Sequence, residues 1–103
     1  MKIVKVTYTT KAEYAAQNQK NIQQVMVDLQ KINNVNILYH ACLGADGKSF
    51  IHTAFFKTEE AEQVLLTLPS FKSFQEQLKA SGPETPPKQE LLTLVGASKE
   101  LHN

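Results

Sequence analysis

An α+β fold of order β-α-β-β-α-β follows from three features of this 103-residue sequence. Residues 2–9, KIVKVTYT, alternate Val4, Val6 and Tyr8 with Lys5 and Thr7, the period of a half-buried strand. Ile22, Val25, Met26, Leu29 and Ile32 recur at i, i+3, i+4, i+7 spacing, the stripe of an amphipathic helix. Asp46-Gly47 then stands between two apolar runs, the strongest short signal for a hairpin turn.

The first strand leads into a helix expected over residues 11–32. Gln17, Gln23, Gln24, Asp28 and Gln30 make its polar face, and Asn33-Asn34 ends it, because Asn tolerates the left-handed conformation of helix ends. Strands follow over residues 35–43 and 49–57. Thr58 is a good N-cap, and Glu59, Glu60 and Glu62 suit the positive end of the next helix, whose stripe is Ala61, Val64, Leu65 and Leu68. Leu68-Pro69 interrupts that helix, since proline pushes the preceding residue out of helical angles. A second helical piece over 70–80 buries Phe71, Phe74 and Leu78. GPETPP at 82–87 reads as a rigid loop, and ELLTLVGA at 90–97 as the last strand.

This order is the ferredoxin-like split βαβ arrangement, a four-stranded antiparallel sheet with helices on one face, and residues 1–103 read as one such domain. The helix-free face of a sheet like this is ordinarily polar. Here Ile51 and Phe55 accompany Phe50 and Phe56, and Leu92 and Leu94 accompany Leu91 and Val95, so both faces are apolar. The simplest cover for the second face is another copy of the same sheet, which predicts a homodimer closing into an α+β barrel.

Composition narrows the function. Hydrophobic residues make up 42% and charged residues 20%, an ordinary globular balance. All 11 basic residues counted are lysines, so a site built on an arginine fork, such as the phosphate cradle of an acylphosphatase, is excluded. The lysines form no basic run, which argues against nucleic acid as a partner. GKSFIHTAFF does echo the third-strand signature of the RNA-recognition motif through Lys48, Phe50 and Phe55, yet His52 and Ile51 stand where that signature wants an aromatic and a small residue. One cysteine makes no internal disulfide, the N-terminus lacks a signal peptide's apolar segment, and no run spans a bilayer. A cytoplasmic protein without a membrane partner is expected.

The stretch from His40 to His52, HACLGADGKSFIH, carries the residues most suggestive of chemistry. A two-residue turn at Asp46-Gly47 sets His52 opposite Ala41 and His40 opposite Thr53, on different faces. A three-residue loop, closed by Gly47 in a bulge, sets His40 opposite His52 and Cys42 opposite Phe50. A one-residue slip flips every side chain, so apolar pattern arbitrates. The longer loop gathers Val35, Ile37, Tyr39, Ala41, Leu43, Ile51, Thr53 and Phe55 on one face, free of ionisable groups apart from the phenol, and is the register expected. Two histidines with a diagonal thiol give no recognised metal-ligand spacing, so no metal site is expected. The imidazoles read as buried, hydrogen-bonded residues, or as the polar feature of a small-molecule cavity. Tyr8, Tyr14 and Tyr39 are further polar candidates there.

HTAFFKTEEAEQ, the broken helix LPSFKSFQEQL and the closing PPKQELLTLVG together resemble the dimeric α+β-barrel superfamily of antibiotic-biosynthesis-monooxygenase-like proteins. That resemblance implies a pocket between sheet and helices for an apolar or aromatic metabolite, which some members oxidise with no metal or flavin cofactor. On this chain Met26, Leu29, Phe50, Phe55, Phe56, Phe71 and Phe74 are the expected pocket lining. His40, His52 and Tyr39 are the catalytic candidates of a cofactor-independent monooxygenase-like or isomerase-like enzyme. Where such enzymes tend to carry a Trp after the third strand, this chain has Phe56, so a non-catalytic ligand-binding or regulatory module stands as the alternative.

Overall fold

The structure, a computed structural model, describes residues 1–100. Its elements are β1 (Lys2–Thr9), a single 3₁₀ turn (Ala12–Tyr14), α1 (Ala15–Ile32), β2 (Ile37–Leu43), β3 (Ser49–Phe56), α2 (Glu59–Leu66), α3 (Pro69–Ser81) and β4 (Thr85–Leu92). The strands form one antiparallel sheet of order β2-β3-β1-β4, and the helices cover one of its faces. This is the expected ferredoxin-like α+β arrangement.

The helix boundaries obey the local chemistry. α1 ends where Asn33 turns left-handed at φ 53° and its N–H donates to Leu29 O. The Thr58 hydroxyl accepts from the Ala61 N–H at 3.1 Å, opening α2 with three glutamates in its first turn. Leu68 is extended before Pro69, which begins α3 as its first residue, where a missing N–H costs nothing. Val25 of α1, Leu65 of α2 and Phe71, Phe74 and Leu78 of α3 meet Tyr8, Phe50, Ala54 and Phe56 of the sheet in the core. Burying each such large side chain contributes on the order of 1.5–3 kcal/mol.

Two sequence expectations are corrected. The first concerns the hairpin. Leu43 pairs with Phe50, Ala41 with His52 and His40 with Thr53, so the histidines lie on opposite faces, and the three-residue loop does not form. Gly44 N–H donates to Ser49 O at 2.7 Å, leaving residues 45–48 as the connection. Asp46 organises it: Oδ1 accepts from the Lys48 and Ser49 N–H groups at 3.0 and 2.8 Å, and Oδ2 from the Ser49 hydroxyl. Those hydrogen bonds hold its carboxyl down at about 2, while Gly47 takes φ 75°. The register follows from what β2 turns toward the helices. Ile37, Tyr39 and Ala41 point inward beside His52, Ala54 and Phe56; a one-residue slip would substitute Leu38, His40 and Cys42. That slip would bury a second imidazole and remove the phenol that His52 uses.

The second correction concerns β4, which spans Thr85–Leu92 rather than 90–97. Its register with β1 runs from Thr9↔Thr85 to Ile3↔Leu92, so β1 is used up before residues 93–97 find a partner. Pro86 and Pro87 are accommodated because β4 is an outer strand and its pairing shifts between Thr7 and Thr9.

On the helix-free face, Leu38, Phe55, Ile3 and Leu92 form one row across all four strands. Leu38 and Ile51 of this face are 41% and 42% exposed. Phe50 faces the helices and Phe55 the opposite side, so the pair cannot stack bases on one surface as the RNA-recognition reading requires.

Candidate functional site

A cavity of about 650 Å³ lies between the sheet and the α2–α3 segment. Val4, Val6, Ala54 and Phe56 form its sheet wall, Leu65, Phe71, Phe74 and Leu78 its helical wall, and Pro83, Pro86 and Pro87 close the β4 side. The volume falls within the usual range for small-molecule sites, and the lining is mostly apolar, as such sites are. Three charged residues line it, Lys2, Glu62 and Lys79, of which Lys2 and Glu62 pair at 2.8 Å.

The polar feature of this cavity is a chain of four side chains from four elements. His52 sits on β3 in the row Ala41–His52–Val6–Gln89, and the small neighbours Ala41 and Val6 leave room for its ring. Tyr39 on β2 and Tyr8 on β1 stand diagonally to either side, within reach of an aromatic side chain. The Tyr8 hydroxyl lies 2.7 Å from His52 Nε2, and the Tyr39 hydroxyl 2.5 Å from Nδ1. Behind Tyr8, Asn18 of α1 donates its amide N–H to the Tyr8 oxygen at 2.8 Å. Aromatic rings brace the chain: Tyr8 stacks on Phe50 at 5.4 Å, His52 on Phe74 at 5.4 Å, and Tyr39 meets Phe71 edge-on.

Burial sets the protonation states. His52 is 4% exposed, and desolvation lowers its pKa to about 4, so the imidazole is neutral at physiological pH. Desolvation likewise raises the phenols of Tyr8 and Tyr39 above their ordinary value, against a smaller lowering of Tyr8 by the Asn18 hydrogen bond. The site therefore holds its protons without a net charge. It suits hydrogen bonding and proton exchange more than nucleophilic attack.

The residues singled out in the sequence are distributed as follows. His52, Tyr39, Tyr8, Phe56, Phe71 and Phe74 all line the cavity. Phe50 is buried behind Tyr8 and does not line it. Met26 and Leu29 flank smaller clefts between α1 and β2, and Tyr14 bonds to Asn21 away from the cavity. His40, Cys42 and Phe55 are on the helix-free face, where the His40 ring lies 6.2 Å from that of Phe55. Among the described residues, no group of three or more His, Cys, Asp or Glu side chains is placed to hold a metal ion, and no helix is long and apolar enough to cross a membrane. Asn18 escaped the sequence reading. Its signal was its position four residues before Ile22, a polar residue on the core-facing stripe.

No family model matches the sequence, and no curated protein matches it either. Solved structures do resemble it. A candidate antibiotic biosynthesis monooxygenase from Deinococcus radiodurans is 20% identical and superposes with a TM-score of 0.74 over 97% of this chain and 98% of that one. A second such candidate, from Nitrosomonas europaea, is 12% identical, with a TM-score of 0.77 over 93% of this chain and all of that one. A variant of SnoaB, a cofactor-independent oxygenase from Streptomyces nogalater, is 15% identical, with a TM-score of 0.66 over 96% of both chains. The chain thus has the ferredoxin-like fold of the antibiotic-biosynthesis-monooxygenase-like proteins.

Proposed function

We propose that this chain binds an apolar aromatic metabolite between its sheet and helices and oxidises it with dioxygen, as a cofactor-independent monooxygenase-like enzyme. The observation that carries the reading is the 650 Å³ apolar cavity whose wall holds the neutral Tyr8–His52–Tyr39 group. The likeness to a cofactor-independent oxygenase supports it at the level of fold. Without a bound cofactor the substrate must itself supply the electrons, so an electron-rich phenol or enol is the fitting class. For 1-naphthol the balance is C₁₀H₈O + O₂ → C₁₀H₆O₂ + H₂O. A ring C–H becomes C=O, one oxygen atom enters the quinone, and the other leaves as water with two hydrogens. In this reading two copies pair through the row Leu38–Phe55–Ile3–Leu92, which covers the exposed Leu38, Ile51 and Leu92 of that face.

The second reading, binding without turnover, is favoured by the absence of a strong base from the Tyr8–His52–Tyr39 group, since His52 is buried and weakly basic. Oxygen uptake with 1-naphthol under ¹⁸O₂ separates the two. Catalysis incorporates one labelled atom into the quinone at a rate above the buffer control. Binding of 1-naphthol without oxygen uptake supports the second reading, and neither binding nor uptake overturns both for this substrate class.

A further inference from the structure

The hydrogen bonds around His52 have a direction, and it reaches the cavity. Asn18 has no exposed surface, and its amide N–H donates to the Tyr8 oxygen. With that oxygen engaged as an acceptor, the Tyr8 O–H is the proton available to His52 Nε2, 2.7 Å away. A neutral imidazole that accepts at Nε2 carries its proton on Nδ1. Nδ1–H then donates to the Tyr39 oxygen, leaving the Tyr39 hydroxyl hydrogen with no acceptor among the hydrogen bonds of the described residues. Tyr39 lines the cavity.

We infer that Asn18 and Tyr8 hold His52 as its Nδ1–H tautomer, so that Tyr39 faces the cavity as a hydrogen-bond donor and selects ligands presenting an acceptor oxygen, a conjugated carbonyl or phenolate. This rests on the cavity being the ligand site, and it sharpens that reading. A donor aimed at the ligand's oxygen stabilises the phenolate or enolate over its conjugate acid, and the electron-rich anion is the form that most readily gives electrons to dioxygen. Asn18 and Tyr8 are positioning residues in this arrangement; Tyr39 is the group that touches the ligand. The orientation is relayed over three hydrogen bonds, from α1 across β1 and β3 to β2. Reversing one bond of this chain requires reversing its neighbours, and its head is the single bond of the Asn18 amide N–H, since Asn18 Oδ1 is buried with no hydrogen-bond partner.

Two measurements test it. The ¹⁵N chemical shifts of the His52 ring at neutral pH report the tautomer directly, and the expected result is protonated Nδ1 with unprotonated Nε2. In Asn18→Leu the constraint on Tyr8 is lost, and the Nε2–H form is expected to rise to a sizeable fraction. A dominant Nε2–H tautomer in the unaltered protein overturns the inference alone.

The second measurement is binding of three near-isosteric tricycles. Fluorene offers no hydrogen-bonding group, fluorenone offers an acceptor, and carbazole offers a donor. Fluorenone is expected to bind about tenfold tighter than the other two, the size of one net hydrogen bond, and Tyr39→Phe is expected to erase the difference. Carbazole binding tightest overturns the assigned ligand class. Absence of binding by all three overturns the cavity as a ligand site, and the ligand class with it.

Discussion

The phenol oxygen of Tyr8 and Nε2 of His52 lie 2.7 Å apart across 44 positions of sequence, on side chains that are both buried. A buried histidine of this kind is tolerated because each ring nitrogen has a phenol partner, so no polar atom of the ring is left unmet. The pairing joins the fold to the candidate site: the same residues close the core and form the polar part of the cavity wall.

The first consequence is a pH dependence. His52 has its pKa lowered to about 4 from the ordinary 6.5, so between those values the unfolded chain binds more protons than the folded one. Stability is therefore complete above pH 6.5 and falls as the pH drops toward 4, by about 3 kcal/mol in all. Urea denaturation at pH 7 and pH 4 measures this directly. His52→Leu is expected to be less stable at pH 7, with the Tyr39 phenol left unpartnered and Tyr8 bonded to Asn18 alone, and to show little change over the same interval.

The turn should respond in a lower range. Asp46 has its carboxyl held at about 2 by the Ser49 hydroxyl and two backbone N–H groups, against an ordinary value of 3.8. Its contribution is present above the ordinary value and is lost as the pH falls through about 2. Asp46→Ala is expected to lower the denaturation midpoint at neutral pH, with the deficit shrinking as the medium is acidified below pH 3. An equal deficit at all pH values would falsify the role assigned to the carboxylate.

Filling the cavity should separate ligand binding from folding. Ala54 lies on the sheet wall, paired with Tyr39 and Val4 in the ladder. Ala54→Leu projects three more carbons into open volume, so its cost to stability is expected to stay below about 1.5 kcal/mol. Fluorenone binding, followed by calorimetry, is expected to weaken by at least about tenfold. Unaltered affinity would place the ligand elsewhere.

The proposed dimer is open to a single change on the other face. Phe55 lies in the row with Leu38, Ile3 and Leu92 and does not line the cavity. Phe55→Glu places a charge at the centre of an interface that needs about 800 Å² per partner to be stable. Sedimentation is expected to give a dimer for the unaltered chain and a monomer for the variant. A monomer in both cases ends the dimer proposal.

Much of the architecture was legible from local chemistry. Thr58, Pro69 and Asn33 each act within one turn of chain, and the helices begin and end where their side chains dictate. β4 departs from the sequence expectation because LLTLV is a better intrinsic strand than TPPKQ, while the ladder is limited by the length of β1, a long-range constraint. The hairpin register departs from the sequence expectation for a different reason. Sorting residues by polarity treated an imidazole as something to segregate, whereas the structure buries His52 because Tyr8 and Tyr39 satisfy it. No local pattern reveals that pairing, since its partners come from β1 and β2. Asn18 was hidden for the same reason: its partner belongs to the first strand, and its spacing alone reads as a core position.

The strand order gives the two ends of the His52 chain unequal restraint. Tyr8 and His52 sit on inner strands held from both sides, whereas Tyr39 sits on β2, an outer strand held only by β3. Opening of an outer strand needs fewer broken ladder bonds than opening of an inner one. Amide hydrogen exchange in β2 should therefore outpace that in β1 and β3, and each such opening lifts Tyr39 off Nδ1 while Tyr8 stays seated. Tyr39, the group proposed to meet the ligand, is thus mounted on an outer strand of its wall, and an occupant of the cavity that grips it would slow the exchange of β2 while leaving that of β4, the other outer strand, less affected.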